Sequence, residues 1–266
     1  MNGQMWIKKM PDDYYNHPSF CYDDVMLWQN GKAYVMDNHR DAAWCWLQHC
    51  KIGECYNFMH IDQHYDLLDC YNSDALAAID NNPKMSYDEF AKMMRDNTGE
   101  YKLFRWDNYI RIMYELRPQW FNTNLFVTQG YGDAKGEGWG HEKMEIQETS
   151  PLYLLFAISQ NMIEKWSGYL KTEDKDLKWI VSLDLDVFFC HEYDHVQIFS
   201  DRYIREVAKL LQKAMNNIQV LTIAISPDCI EGKRLKERWE SGFRVLRLLA
   251  EEIVALQEFP FPENID

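Results

Sequence analysis

A three-layer α/β fold with a mostly parallel sheet and helices on both faces is predicted by three observations. Strongly apolar strand-like runs alternate with amphipathic helical stretches along the chain. Polar residues gather at or just beyond the carboxyl ends of such runs, at His39, Asp62, Asp184 and Asp228, where ligands collect in open α/β sheets. The chain's 266 residues, 47% hydrophobic and 15% aromatic, suffice for one large core, so residues 1–266 are expected to form a single domain.

The first element is a hairpin over about residues 20–37, with runs from Phe20 to Trp28 and Lys32 to Met36 joined at Gln29-Asn30-Gly31, because Asn-Gly favours a two-residue turn. The second run leads into Asp37-Asn38-His39, and Arg40 to Cys50 has helical spacing in Ala42, Ala43, Trp46 and Leu47. His39 therefore sits at a strand-to-helix junction, where a lone histidine is either a cap or core residue or, with acids on the next strand, a ligand. After a strand ending near Asp62, Ser86-Tyr87-Asp88-Glu89 is a capping box opening a helix from Tyr87 to Arg95, and a second helix covers Trp106 to Leu116. Leu125 to Gln129 is the next strand. The glycine-rich segment Gly130 to His141 reads as a loop bordering an entrance, and it lacks the phosphate-cradling pattern.

Ser150-Pro151 opens a helix running to about Tyr169, with Ser as cap and Pro at the first position. A strand over 179–189, a helix from Asp201 to about Met215, a strand from Val220 to Ile225 and a final helix over about 235–256 complete the chain.

Two of these runs carry chemistry. In Asn57 to Asp66, the residues His60, Asp62, His64 and Asp66 would share one face of a strand. At about 3.3 Å per residue, Asp62 and Asp66 would then lie about 13 Å apart, too far for one metal, so the strand must end near Asp62 and curl. In Trp179 to Phe189, Asp184 and Asp186 are two residues apart within an apolar run and are expected to face one side. Buried like-charged acids need a cation, and a divalent metal is the usual one. Asp228, beyond the last strand, is placed to hold a cationic group by a charge-assisted pair; the alternatives are a turn cap after Ser226-Pro227, or Glu231 in its place.

The net charge of -14 and pI near 5.0 argue against a nucleic-acid partner and suit cationic ligands, although acidity also serves solubility. Seven cysteines without C-x-x-C spacing read as free, reduced thiols. No apolar run approaches transmembrane length and the amino-terminal stretch lacks a signal core, so no membrane partner and a cytoplasmic location are expected. His191-Glu192-Tyr193-Asp194-His195 matches H-E-x-x-H. That motif binds zinc on a helix, whereas here it follows a strand directly and precedes the next helix start, so it reads as a coincidence.

The joint pattern Asp37-Asn38-His39, His60-Ile61-Asp62-Gln63-His64-Tyr65-Asp66, Ser182-Leu183-Asp184-Leu185-Asp186 and Ile225-Ser226-Pro227-Asp228 resembles the arginase (ureohydrolase) superfamily. More particularly it looks like the peptide arginases that convert arginine to ornithine in precursor peptides, over roughly residues 33–230. The resemblance implies an arginase-like fold and two Mn²⁺ per chain. One ion would be held by His39, Asp62, Asp66 and Asp184, the other by His64, Asp62, Asp184 and Asp186. It implies hydrolysis of an arginine guanidinium to urea and ornithine, with Asp66 accepting a proton from water and returning it to the departing amine. The partner would be an arginine-containing precursor peptide, because the Ser/Asn-rich loop that holds free arginine in arginases has no counterpart after Asp66. Two alternatives stand beside this: a zinc deacetylase of the same fold, whose usual His-His pair is missing here, and a non-catalytic binding protein whose metals only lock the sheet edge.

Overall fold

The computed structural model describes residues 5–19, 24–68, 73–95, 99, 101–131, 144–166, 170, 174–190, 192 and 195–263. Its centre is an eight-stranded sheet in the order β1-β2-β3-β8-β7-β4-β5-β6. These strands are β1 (Met5–Lys8), β2 (Leu27–Asn30), β3 (Ala33–Met36), β4 (Asn57–His64), β5 (Asn124–Tyr131), β6 (Ile146–Thr149), β7 (Trp179–Asp184) and β8 (Ile218–Ala224). From β3 to β6 all neighbours are parallel, and only β1-β2-β3 run antiparallel.

Helices α1 (Asp41–His49), α2 (Ser73–Asn81), α3 (Tyr87–Ala91), α4 (Tyr109–Leu116), α5 (Leu154–Ile158), α6 (Asp201–Ala214) and α7 (Leu235–Ala250) complete the layers. The period-two alternation of the strands decides which face each side chain joins. Met59, Ile61, Val181, Leu183 and Ile223 pack with α5, α6 and α7, while Phe58, Ile180, Val220 and Phe126 pack with α1, α3 and α4. In α6 the buried Ile204, Val207, Ala208, Leu211 and Ala214 form the stripe that a helix of 3.6-residue period presents, and Ser200 caps it by accepting from Tyr203 N–H.

The strand order also locates the crevice. From β4 the chain moves outward to β5 by way of α4 on one face; from β7 it moves the opposite way to β8 by way of α6 on the other face. The two crossovers diverge between the adjacent carboxyl ends of β4 and β7, the point at which an α/β sheet opens to ligands. Asp62 and Asp184 stand at those two ends.

Several expectations are corrected. The hairpin loop is Gly31-Lys32, since Asn30 pairs with Ala33, and Gly31 takes the positive φ of +60° that the tight turn requires. The strand expected over 179–189 stops at Asp184, because the Asp184 side chain accepts from Asp186 N–H and turns residues 185–188 into a 3-10 turn. The helix after Ser86 ends at Ala91 rather than Arg95, and that after Ser150 passes from a 3-10 turn through α5 into a π-helical turn, Ser159–Ile163. Tyr169 and residues 132–141 of the glycine-rich segment lie outside the described residues, as does the start of the expected first strand at Phe20. Among the described residues no helix is long and apolar enough to cross a membrane, and the described cysteines, Cys45, Cys50, Cys55, Cys190 and Cys229, are free.

Candidate metal centre

His39 owes its place to the residues around it. Asp37, fully buried, accepts from Val25 N–H and Met26 N–H at 2.8 and 2.7 Å and from the Ser19 hydroxyl at 2.9 Å. Burial, reinforced by Asp24, pushes its pKa up to about 7. Asn38 accepts from Arg40 N–H at 3.1 Å, and the Arg40 guanidinium pairs with buried Asp24. These contacts fix the bend between β3 and α1, which leaves His39, 4% exposed, pointing at the crevice.

The curl of β4 has a visible cause. The β4–β5 register shifts between Asp62 and His64, and Asp66 adopts the left-handed φ of +54°. Gln63 between them turns its amide away, donating to the carbonyls of Asp186 and Phe189 at 2.6 and 2.8 Å. Asp62, His64 and Asp66 therefore converge instead of spreading along a strand.

The result is two donor sets that share Asp62. His39, Asp62 and Asp66 form one, and Asp62, His64 and Asp186 the other; within each set the ligand atoms lie within 4.8 Å of one another. His39 Nδ1 is 3.3 Å from Asp62 Oδ2 and 3.2 Å from Asp66 Oδ2. His64 Nδ1 is 3.2 Å from both Asp62 Oδ1 and Asp186 Oδ2. Asp184, expected to bridge, belongs to neither set. It touches His39 Nε2, and its oxygens accept from Asp186 N–H at 2.8 Å and the Ser226 hydroxyl at 2.6 Å.

These residues fit a metal. Among the described residues, Asp62 Oδ2 and Asp66 Oδ2 are buried without a hydrogen-bond partner, and such atoms are costly unless a cation satisfies them. Carboxylate with imidazole is a donor set that manganese and other divalent ions accept. The buried His39/Asp62/Asp66/Asp186 cluster could thus hold a metal ion.

The electrostatics agree. Burial, reinforced by Asp186, pushes Asp62 and Asp184 well above the usual carboxylate range. Burial raises Asp66 to about 8 against the opposing pull of His64. Burial would lower the pKa of His64, but hydrogen bonds to Asp186 and Asp62 outweigh it and push the value up to about 12. At pH 7 a proton on His64 and one on Asp66 therefore do part of the work of a cation, and a metal must displace them. Mn²⁺ binding at pH 7 is expected to release about one to two protons per chain and to strengthen from pH 6 to pH 8. Calorimetric titration in two buffers of different ionisation enthalpy measures both; binding that is independent of pH and releases no proton contradicts this picture.

The centre floors a cavity of about 250 Å³ whose lining includes Ser19, Asn38, Trp106, Ser226, Asp228 and Cys229 besides the acids and histidines. All of the expected residues His39, Asp62, His64, Asp66, Asp184, Asp186 and Asp228 line it. Asp228 lies in the 3-10 turn Pro227–Cys229, and among the described residues its buried Oδ2 has no hydrogen-bond partner. Glu231, its alternative, is outside the lining and accepts from Gln197 N–H at 3.5 Å. His60 shares the strand face but turns Nε2 to the His64 carbonyl at 3.0 Å. Of the H-E-x-x-H stretch, His191, Tyr193 and Asp194 lie outside the described residues, while Glu192 and His195 are non-helical and His195 has a φ of +56°.

Sequence reasoning missed Tyr109, Ser226 and Trp106 as parts of the site. Tyr109 Oη, fully buried, is 3.2 Å from His39 Nδ1 and 3.0 Å from Ser182 Oγ. A tyrosine on an apolar helix face gives no hint of its partner; the S-x-D-x-D spacing around Ser182 was the available signal. No protein-family model matches the chain, and a search of curated proteins finds no match.

Proposed function

We propose that the protein is a binuclear-manganese hydrolase that cleaves the guanidinium of arginine side chains in a peptide to give ornithine and urea. The observation that carries this reading is the pair of donor sets sharing Asp62, buried except for half-buried His64, in a cavity that is also lined by the carboxylate of Asp228. When bound, a pair of divalent ions supplies Lewis acidity and lowers the pKa of water towards about 7. Asp62, His64, Asp66, His39 and Asp186 would hold the ions, with Asp184 orienting His39 and completing the set.

Asp66 is the proton carrier. Its buried carboxylate lines the cavity, where it would accept a proton from the attacking water and later give it to the departing δ-nitrogen. A new C–O bond forms at the guanidinium carbon, the bond to the δ-nitrogen breaks, and urea leaves. Asp228 would pair with the cationic guanidinium and orient it. An acidic cavity in a chain of net charge -14 favours such a cation over a neutral acylamide.

Urea release from arginine-containing peptides, free arginine and acetyl-lysine peptides, with manganese counted by elemental analysis, tests the reading. The expected result is about two ions per chain and turnover of peptide arginine in preference to the free amino acid. One ion per chain with acetate release points instead to the deacetylase chemistry, and equal or better activity on free arginine sinks the peptide assignment.

A further inference from the structure

The proposed reaction does not use every side chain that lines the cavity. Trp106, 37% exposed, lines the cavity and is its only Trp, Tyr or Phe among the described residues. The loop bearing it is locked. Asn108, fully buried, accepts from Arg105 N–H at 2.8 Å and donates to the Leu103 carbonyl at 3.1 Å. Leu68 N–H, two residues past Asp66, donates to the Asp107 carbonyl at 2.8 Å, which ties the loop to the curled end of β4. Arg105 Nε bonds the Asp107 carboxylate at 3.0 Å, and among the described residues neither lysine nor arginine lines the cavity.

Asp228 brings a complementary charge. Arg238 Nη1 is 4.0 Å from its Oδ1, and Arg238 donates to the carbonyls of Gly232 and Asp228 at 3.0 and 3.3 Å, while among the described residues Oδ2 has no hydrogen-bond partner. An indole face attracts a cation, and a planar guanidinium stacks on it where a compact, strongly hydrated ammonium does not. Side chains held by a locked loop bind with little ordering cost.

We infer that Trp106 and Asp228 form a two-sided clamp for a planar cation, with Trp106 the residue that selects guanidinium over ammonium. The inference rests on the guanidinium-hydrolase reading above and deepens it: Trp106 is a specificity-determining residue that stacks on the group to be hydrolysed.

The test is calorimetric titration of Mn²⁺-loaded protein with Nα-acetyl-argininamide and Nα-acetyl-lysinamide, with urea assayed in the recovered cell so that binding and turnover are read separately. Wild type is expected to bind the arginine probe about ten-fold more tightly than the lysine probe. Trp106→Phe should keep that preference within about three-fold, whereas Trp106→Leu should lose about ten-fold on the arginine probe and little on the lysine probe. Manganese content should not change in either variant. A wild type without preference, or a Trp106→Leu protein that retains it, overturns the inference; if that variant does not fold, Trp106→Gln reads the same loss. Preference that depends on Trp106 without any urea leaves the clamp standing and removes the hydrolase reading.

Discussion

Asp62→Asn protein is expected to lose both metal ions, and with them roughly 10⁴-fold or more of any urea-forming activity, the scale on which groups acting as a unit fail together. Asp62 is the one residue common to the two donor sets, so its change strikes both. Asn keeps an acceptor for His64 N–H, which Asp62 Oδ1 receives at 2.6 Å, and so the backbone curl has no reason to open. The same change should stabilise the metal-free protein. Burial and the nearby Asp186 raise the Asp62 pKa, so its contribution to stability is full below the ordinary value near 3.9 and is lost as pH rises through the folded value. At pH 7.5 the metal-free wild type bears that loss and the Asn variant does not, a difference of about 1–2 kcal/mol on the scale of relieved functional sites.

Added Mn²⁺ then reverses the order, because a ligand at about 100 times its Kd stabilises wild type alone by about 2.7 kcal/mol. Thermal midpoints with and without metal should cross between the two proteins. A variant that still binds two ions, or that melts lower than metal-free wild type, contradicts the shared-ligand assignment.

How much of this was legible beforehand follows from the range of the interactions. Period-two and period-3.6 patterns report burial on one element, so β4, β7, β8, α1 and α6 could be read from apolar spacing, and with them the strand ends that carry Asp62 and Asp184. β1 and β6 could not: both are four residues long and lie partly exposed at the sheet edges, with three apolar residues in β1 and one in β6, too few to set a period. The convergence of Asp62, His64 and Asp66 could be argued because a straight strand fails on distance alone. Asp186 joins its donor set by a different route from the period-two strand that the spacing predicts, because the Asp184 side chain caps a 3-10 turn there. Tyr109 and Trp106 meet the site only through tertiary packing; the Tyr109–His39 contact spans 70 residues, and no local pattern encodes it. The hydrogen bond from Ser226 to Asp184 follows from the left-handed φ of +47° at Ser226, a conformation rare for serine and unannounced by its neighbours.

Asp228 offers the sharper test of substrate chemistry, because it lines the cavity without belonging to either donor set. Asp228→Ala should therefore keep both ions while turnover of peptide arginine falls by about 2–4 kcal/mol of transition-state stabilisation, roughly 30- to 1,000-fold, as for other oriented polar contacts. Folding should tolerate the change. Burial raises the Asp228 pKa despite Arg238 nearby, so the ionised carboxylate is held at a cost rather than as a source of stability. Its raised value means that this contribution to stability is full below the ordinary carboxylate pKa and lost as pH rises through the folded one, so at pH 7.5 the variant forfeits none of it. Asp228→Asn separates charge from shape: it keeps the length and one acceptor, and if the charge-assisted pair is what orients the guanidinium, most of the loss should remain. Urea release and manganese content measured together in wild type and both variants decide the matter. A parallel loss of metal would move Asp228 into the metal centre, unimpaired Asp228→Ala turnover would remove it from the site, and full activity in Asp228→Asn would reduce its part to shape alone.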